Sequence, residues 1–153
     1  ELGRDMQQTH GDYLISDDPE RLDVVAIHAY LSGSYWAANI SLEIVQRALQ
    51  GSLCIGAYAQ DNSQVGLVRI ISDQATYAYL CDVYVLESHR RQGLAKAMLA
   101  LTMTHPKLQG LRSWRLGTRD AHELYTQFGF KLVGHSESDM AIRISNPYGS
   151  KAD

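Results

Sequence analysis

Residues 83–95 have the residue types and spacing of an anion-binding loop. An apolar strand that ends at Val85 passes through a short polar segment into a predicted helix whose first turn contains Gly93. A helix start presents free backbone N–H groups and the positive end of the helix dipole. Gly93 lacks the Cβ atom that would keep a phosphate from the backbone, and Arg90 and Arg91 add positive charge. The pattern favours a phosphate-bearing ligand, although it also fits an ordinary helix start.

Other ligand-binding motifs are missing. The sequence has neither the Gly-Lys-Ser or Gly-Lys-Thr of a P-loop nor the three-glycine dinucleotide pattern. The six histidines are scattered without ligand spacing, so we expect no metal site, although His89 lies near the predicted phosphate loop. Cys54 and Cys81 form no CxxC pair, and we predict that both are small buried residues in strands.

The helices and strands that we predict around this loop indicate a fold that mixes both types of element. In chain order they are helices 19–31 and 42–50, strands 53–59, 65–71 and 76–86, a helix from Leu94 to before Pro106, strand 111–116, helix 121–128, and strands 130–133 and 140–144. Asp18, Ser41 and Asp120 are predicted to cap three of the helices. A meander followed by strand-helix-strand units is typical of an α/β or α+β sandwich, with a mixed, mostly antiparallel central sheet flanked by helices.

The composition favours one domain of near-neutral charge. The 153 residues include 14 Lys and Arg against 17 Asp and Glu, which argues against a nucleic-acid partner. No apolar run approaches the ~20 residues that cross a bilayer, so we expect a cytoplasmic protein without a membrane partner. We interpret residues 6–147 as the domain, 1–5 as an expression remnant and 148–153 as a tail. The nine tyrosines either pack half-exposed or supply proton donors.

Two motifs taken together resemble those of the GNAT superfamily of acetyl-CoA-dependent N-acetyltransferases. Residues 90–95, Arg-Arg-Gln-Gly-Leu-Ala, fit the family's pyrophosphate pattern of Arg or Gln, two residues, Gly, one residue, and Gly or Ala. Residues 121–130 contain Leu-Tyr followed by Gly-Phe, as in the family's second motif. The resemblance covers about residues 53–133. It implies an N-acetyltransferase domain in which two adjacent strands splay apart and hold acetyl-CoA.

The resemblance also implies a cofactor site and a mechanism. The pantetheine arm would pair with strand backbone and the pyrophosphate with loop amides; the implied cofactor-binding residues are Val83, Tyr84, Val85, Arg90, Arg91, Gln92, Gly93, Leu94, Ala95 and Tyr125. An uncharged primary amine would attack the thioester directly, and Tyr125 would protonate the departing thiolate as general acid. An ordinary phenol, with a pKa of about 10, is close in acidity to a coenzyme thiol. The alternative for Tyr125 is packing on the buried face of its helix.

The remaining candidates concern the amine. Asp82 interrupts an apolar strand, where an unpaired carboxylate is costly to bury. It either attracts the ammonium and relays its proton through water, as a catalytic base, or pairs with a neighbouring group. Family members build the acceptor pocket from the loop between the first helices and from strand faces, which here gives Tyr35, Trp36, Arg69, Asp73 and Tyr79.

Three functions fit these observations. The first is an N-acetyltransferase acting on a primary amine, and the second is a non-catalytic acyl-CoA sensor or interaction module that keeps the loop. The third is an α/β domain with a fortuitous loop. The acceptor, a small-molecule amine or a protein amine, stays open at this point. An exposed edge strand or the predicted C-terminal strand could support a homodimer.

Overall fold

Short apolar runs in the middle of the chain form the centre of a six-stranded sheet. The computed structural model describes residues 6–134 and 137–149, so the predicted remnant at 1–5 and the end of the predicted tail at 150–153 lie outside the described residues. The strands are β1 (Gln7–His10), β2 (Tyr13–Ser16), β3 (Leu53–Tyr58), β4 (Gln64–Ser72), β5 (Tyr77–Val85) and β6 (Ser113–Leu116). They lie in the order β1-β2-β3-β4-β5-β6, antiparallel except for the parallel β5–β6 pair. The predicted mixed, mostly antiparallel sheet is confirmed.

The helices flank this sheet. They are α1 (Val24–Leu31), α2 (Leu42–Gln50), α3 (Leu94–Thr104) and α4 (His122–Thr126), with short 3-10 turns at Pro19–Arg21, Glu87–His89 and Pro106–Leu108. One core lies between the sheet and α3, where Val68, Ile70 and Met98 are fully buried. A second core lies under α1 and α2, around Ile27 and Leu67. The two cores hold the central strands between helical layers, as the sequence predicts for a sandwich.

A close contact fixes α3 against the sheet. A Cβ atom at Gly66 would lie 2.9 Å from Cε of Met98 and 3.1 Å from the backbone oxygen of Tyr84. Both distances are shorter than ordinary van der Waals contact, so glycine lets the helix approach the strand. This packing sets the position of the α3 start, which carries the predicted phosphate loop.

The first 31 residues differ from the prediction in two ways. The β1–β2 hairpin was not predicted, and its signal was the Gly11-Asp12 dipeptide, in which Gly11 has a φ of 57°. The predicted first helix begins later, because Asp18 caps only a 3-10 turn by accepting from the backbone N–H of Glu20. Asp23 then caps α1, since its side chain accepts from the N–H of Ala26. Two capping residues close together divide the segment that the periodicity predicted as one helix.

The prediction of two strands near the end of the chain is wrong. Residues 130–133 and 140–144 have no regular structure and pair with no strand. Leu132, Met140 and Ile142 are between 82 and 96% exposed, so their alternation faces neither a core nor a neighbouring strand. The cap prediction for α4 is also wrong, because Thr118 rather than Asp120 accepts a hydrogen bond at its start, from the N–H of Ala121.

Candidate functional site

A cavity opens where β5 and β6 part. The strands pair from Tyr77 opposite Ser113 to Leu80 opposite Leu116, where β6 ends. β5 continues for five residues to Val85, with no strand beside this edge in the described part of the chain. Apart from the carbonyl oxygen of Val85, which accepts from Nε of Arg90, the backbone groups on this side of β5 have no strand partner there and are available to a ligand. The adjoining cavity has a volume of about 1320 Å³, more than the roughly 300–1,000 Å³ of a typical single-ligand pocket.

A β-bulge in β5 decides which side chains turn toward α1 and α2. Arg69 on β4 lies opposite Asp82, whereas the next residue, Ile70, lies opposite Leu80. Cys81 is therefore an extra residue without a partner on β4. Because side chains alternate with a period of two, the extra residue reverses the alternation along β5. Leu80 belongs to the core under α3, while Asp82 turns to the opposite face and meets the α1–α2 loop.

Asp82 is buried, and both of its carboxylate oxygens accept hydrogen bonds. Oδ1 accepts from the indole Nε1 of Trp36 at 2.7 Å, and Oδ2 accepts from Nε of Arg69 at 2.5 Å. The Asp82 and Arg69 side chains are only 5% and 15% exposed. Arg69 also donates from Nη1 to Oγ of Ser52 at 3.0 Å. This geometry favours the second interpretation of Asp82, a carboxylate paired with its neighbours.

The predicted phosphate loop contains two residues with left-handed backbone. Arg91 has a φ of 64° and Gly93 a φ of 76°. Gly93 is the N-cap of α3, and no side chain hydrogen-bonds to this end of the helix. The N–H groups of the first turn are therefore open to an anion. Arg90 donates from Nε to the carbonyl oxygen of Val85 at 3.0 Å, which ties the loop to the end of β5. The loop fits the phosphates that the sequence predicts for it.

The β1–β2 hairpin supports the same loop from its outer side. Nε2 of His10 lies 2.7 Å from the carbonyl oxygen of Gln92, and the Tyr13 hydroxyl lies 2.9 Å from Nδ1 of His89. A Cβ atom at Gly93 would lie 3.1 Å from Nε2 of His10, closer than most such contacts. Glycine at this position thus serves both the left-handed backbone and the fit against the hairpin.

Tyr125 lies on α4 and lines the cavity. The residue is 8% exposed, and its ring meets that of Phe130 edge-on with centroids 6.0 Å apart. Its hydroxyl has no hydrogen-bond partner among the described residues. Burial raises the pKa of Tyr125 to about 12, with smaller contributions from Tyr35 and Asp120. The phenol is therefore protonated at neutral pH, and the residue both packs in the core and faces the cavity.

Aromatic side chains form another part of the cavity wall. Tyr30 stacks on Tyr84 with centroids 3.9 Å apart, and Tyr35 meets Trp36 edge-on at 5.0 Å. The guanidinium of Arg119, in the loop before α4, lies 3.8 Å from the centroid of the Tyr35 ring. This cation–π contact joins the α1–α2 loop to the β6–α4 loop. Tyr30 and Arg119 were not among the predicted site residues, because contacts between residues so far apart in the chain leave no local pattern.

Most of the predicted site residues meet at this cavity. They are Tyr35, Trp36, Arg69, Tyr79, Asp82, Val83, Tyr84, Val85, Arg90, Arg91, Gly93, Leu94, Ala95 and Tyr125. Gln92 instead lines a smaller cavity beside the β1–β2 hairpin. Asp73 is also elsewhere, since its carboxylate closes the β4–β5 turn by accepting from the side chain of Thr76 and from backbone N–H groups. These hydrogen bonds lower the pKa of Asp73. Because Asp73 does not line the cavity, it is not part of the proposed acceptor pocket.

The two thiols have the environment of unreactive residues. Burial raises the pKa of Cys54 to about 12, and burial also raises the pKa of Cys81. Thiolate is the reactive form of cysteine, so neither residue is suited to accept an acyl group. Within residues 6–134 and 137–149, no cluster of His, Cys, Asp and Glu could hold a metal ion. No helix in the same ranges is long and apolar enough to cross a membrane.

Comparisons with known proteins agree on one family. The family model described as an acetyltransferase (GNAT) domain matches residues 50–132, which include β3 to β6, the phosphate loop and α4. A candidate acetyltransferase of Gibberella zeae is 37% identical over 139 residues, which cover 76% of this chain and 77% of that protein.

Solved structures have the same fold. The crystal structure of a candidate GNAT acetyltransferase from Xanthomonas campestris pv. campestris is 44% identical, with a TM-score of 0.86 over 90% of this chain and 97% of that one. A GNAT family acetyltransferase from Elizabethkingia anophelis, solved with acetyl-CoA bound, is 18% identical, with a TM-score of 0.50 over 61% of this chain and 63% of that one. At this identity, the second likeness concerns the fold alone.

Proposed function

Because the chain belongs to the GNAT acetyltransferase family, whose members use acetyl-CoA, we propose that it transfers an acetyl group from acetyl-CoA to a primary amine. The observation that carries this proposal is the parting of β5 from β6 beside a cavity that also receives the α3 start and Tyr125. An unpaired strand edge, open helix amides and a protonated phenol are thus available to one bound ligand.

The residues suited to hold acetyl-CoA are in two adjacent stretches. The backbone edge of residues 83–85, which has no neighbouring strand in the described part of the chain, suits the amides of the pantetheine arm, and the open N–H groups at residues 91–95 suit the pyrophosphate. Arg90 and Arg91 place positive charge beside those amides. When bound, acetyl-CoA supplies a thioester, which is an activated acetyl donor. The protein contributes position and electrostatic stabilisation, with no acyl group carried on a side chain.

Asp82 acts in this proposal as a positioning residue. Its oxygens hold Nε1 of Trp36 and Nε of Arg69, so neither oxygen is left without a partner to take a proton from the amine. The amine gives its proton to solvent before it attacks, and only the uncharged form reacts. The network fixes the α1–α2 loop against β5. It thereby keeps the aromatic part of the cavity wall around Tyr35 and Trp36, the proposed acceptor wall, next to the stretch of β5 beside which the pantetheine arm is proposed to lie.

Tyr125 acts as the general acid. The expectation of balanced proton transfer used an ordinary phenol, whereas burial brings the pKa of Tyr125 to about 12. Two pKa units make complete transfer less favourable by about 3 kcal/mol. We therefore propose that the Tyr125 hydroxyl first stabilises the departing sulfur as a hydrogen-bond donor and releases its proton to the thiolate late in the step. The proton that the attacking nitrogen loses as the amide forms then returns Tyr125 to its neutral form through solvent.

A thiol-release screen with acetyl-CoA and separate classes of amine tests the proposal. Small amines, amino acids, polyamines and peptides are each supplied, with free CoA thiol as the readout. We expect turnover with at least one class. A non-catalytic acyl-CoA sensor would instead be stabilised against heating by CoA without thiol release from any amine. A domain with a fortuitous loop would show neither effect.

A further inference from the structure

The cavity carries positive charge in a chain whose formal net charge is −3. Its described lining includes six basic and two acidic side chains, which are Arg69, Arg90, Arg91, Lys96, Arg119, Arg143, Asp82 and Asp120. A cavity lined by charge of one sign concentrates ligands of the opposite sign. The phosphates proposed to bind at the α3 start account for only part of this excess.

Four of these cations are already hydrogen-bonded within the protein or lie where the phosphates are proposed to bind. Arg69 is bonded to Asp82, and Arg90 to the carbonyl oxygen of Val85. Arg91 and Lys96 lie at the loop and the first turn of α3, where the phosphates are proposed to bind. Arg119 and Arg143 come from other segments of the chain.

Neither Arg119 nor Arg143 takes part in an ion pair within the described residues. These two side chains are therefore the basic groups of the cavity that are open to a second ligand.

Arg119 has a defined geometry for that second ligand. Its guanidinium carbon lies 3.8 Å from the centroid of the Tyr35 ring, which restrains the position of the group, and its N–H donors have no hydrogen-bond partner among the described residues. Tyr35 contacts Trp36, and Trp36 donates to Asp82 beside the β5 bulge. A continuous set of contacts thus connects Arg119 to Asp82, which directly precedes the stretch of β5 beside which the pantetheine arm is proposed to lie.

The same contact argues against an aromatic site for the ammonium at Tyr35. A cation–π site needs an open ring face, and the guanidinium of Arg119 already covers one face of this ring. A carboxylate can instead accept two parallel N–H bonds from the edge of the guanidinium. The chemistry of the acceptor wall therefore fits an anionic group better than a second cation.

We infer that the acceptor is a primary amine that also bears a carboxylate, and that Arg119 binds this carboxylate while the amino group points toward β5. The inference rests on the proposed function and adds the substrate class to it. Arg143, on the segment after α4, is exposed and adds a second positive charge to the same cavity.

Matched pairs of amines test the inference. Phenylalanine is compared with phenethylamine, histidine with histamine, and γ-aminobutyrate with propylamine, so that the members of each pair differ by one carboxylate. Thiol release from acetyl-CoA is measured, with kcat/KM expressed per concentration of uncharged amine. We expect the carboxylate member of at least one pair to be favoured by about 10- to 100-fold, as for a charged hydrogen bond. In Arg119→Gln, this preference should be lost while the KM for acetyl-CoA is unchanged.

Arg112→Gln is the matched control, because Arg112 is an exposed arginine outside the cavity lining. It should keep the preference of the unaltered protein. Equal efficiency of both members in every pair would overturn the substrate class and leave acetyl transfer standing. A raised KM for acetyl-CoA in Arg119→Gln would also overturn it, by assigning Arg119 to the cofactor. Absence of thiol release from every amine would overturn the proposed function together with this inference.

Discussion

The two ends of the cavity are built from different parts of the polypeptide. The end at the α3 start uses backbone, namely left-handed residues at Arg91 and Gly93 and amide groups without a capping side chain. The end at the α1–α2 loop uses side chains, as in the contacts of Trp36 and Arg69 with Asp82. A backbone site recognises the phosphates that every acetyl-CoA carries, whereas a side-chain site can change its ligand by substitution. This difference explains why the cofactor could be predicted from a sequence motif and the acceptor could not.

Removing a charge from the side-chain end should have the largest effect. Asp82→Asn leaves the Arg69 guanidinium buried without its counter-charge, and we expect the free energy of unfolding to fall by about 3–5 kcal/mol. Denaturant unfolding of the purified variant measures this change. Arg115→Gln is the control, since the Arg115–Asp139 pair is exposed and its loss should leave stability almost unchanged.

The same variant distinguishes the two interpretations of Asp82. If Asp82 only positions its neighbours, the Asp82→Asn variant should keep the pH dependence of kcat in the fraction of the protein that is folded. A catalytic base would lose the acidic limb of the pH profile and about 100-fold or more in kcat, with native stability retained. The second result would contradict the paired-carboxylate account.

The next effect concerns Tyr125, which lines the same cavity. Tyr125→Phe removes the hydroxyl and keeps the ring that packs against Phe130, so the fold should be retained. We expect kcat to fall by about 100-fold or more, with the KM for acetyl-CoA nearly unchanged. Steady-state thiol release measures both constants. Unchanged turnover would remove Tyr125 from the mechanism.

A smaller effect is expected at the backbone end. Gly93→Ala places a Cβ atom on left-handed backbone, next to the amides proposed to bind pyrophosphate, and should weaken CoA binding by about 10-fold. Gly110→Ala is a matched control, because Gly110 has a φ of 74° and open space around it. Both variants should lose about 1–2 kcal/mol of stability from backbone strain. Calorimetric titration with CoA checks the prediction, and equal CoA affinity in the two variants would contradict the assignment of the loop.

The smallest effect is a loss of stability at alkaline pH. Burial raises the pKa of Tyr58, Tyr84 and Tyr125 above the ordinary phenol value of about 10. Below pH 10 these phenols are neutral in both the folded and the unfolded protein. Above it the unfolded chain loses protons that the folded protein keeps, so stability falls as pH rises. Each phenol should lower the free energy of unfolding by about 0.4 kcal/mol at pH 10.

Thermal unfolding between pH 8 and pH 11 measures this change. Substituting Tyr84 by Phe should flatten the alkaline slope, whereas the same change at the exposed Tyr77 should leave it as it is. An alkaline slope that is the same in both variants would show that the buried phenols do not cause it.

Local patterns in the sequence predicted the elements around the backbone end of the cavity, at the α3 start. Strands β3 to β5, helices α2 and α3, and the loop between β5 and α3 all follow from apolar period, caps and one glycine. These signals depend on residues that lie close together in the chain. They therefore survive in a single sequence.

The side-chain end of the cavity, at the α1–α2 loop, depends on features that local patterns do not contain. The bulge at Cys81 turns Asp82 toward Trp36, and the stacking of Arg119 on Tyr35 joins two distant loops. The opposite case is the two strands that were wrongly predicted near the end of the chain. The apolar alternation around Ile142 is present in the sequence, but no strand lies beside it in the described residues. Pairing and burial are properties of the whole fold, so alternation alone did not decide them.

Acetyl transfer to an amine is shown or excluded by analysis of the reaction products. The protein is incubated with acetyl-CoA carrying an isotopically labelled acetyl group and with the amine that gives the fastest thiol release. Free thiol and labelled N-acetyl amine are then quantified together by mass spectrometry. Acetyl transfer to the amine should give the two products in equal amounts. Free thiol without acetylated amine, as in thioester hydrolysis, would contradict it.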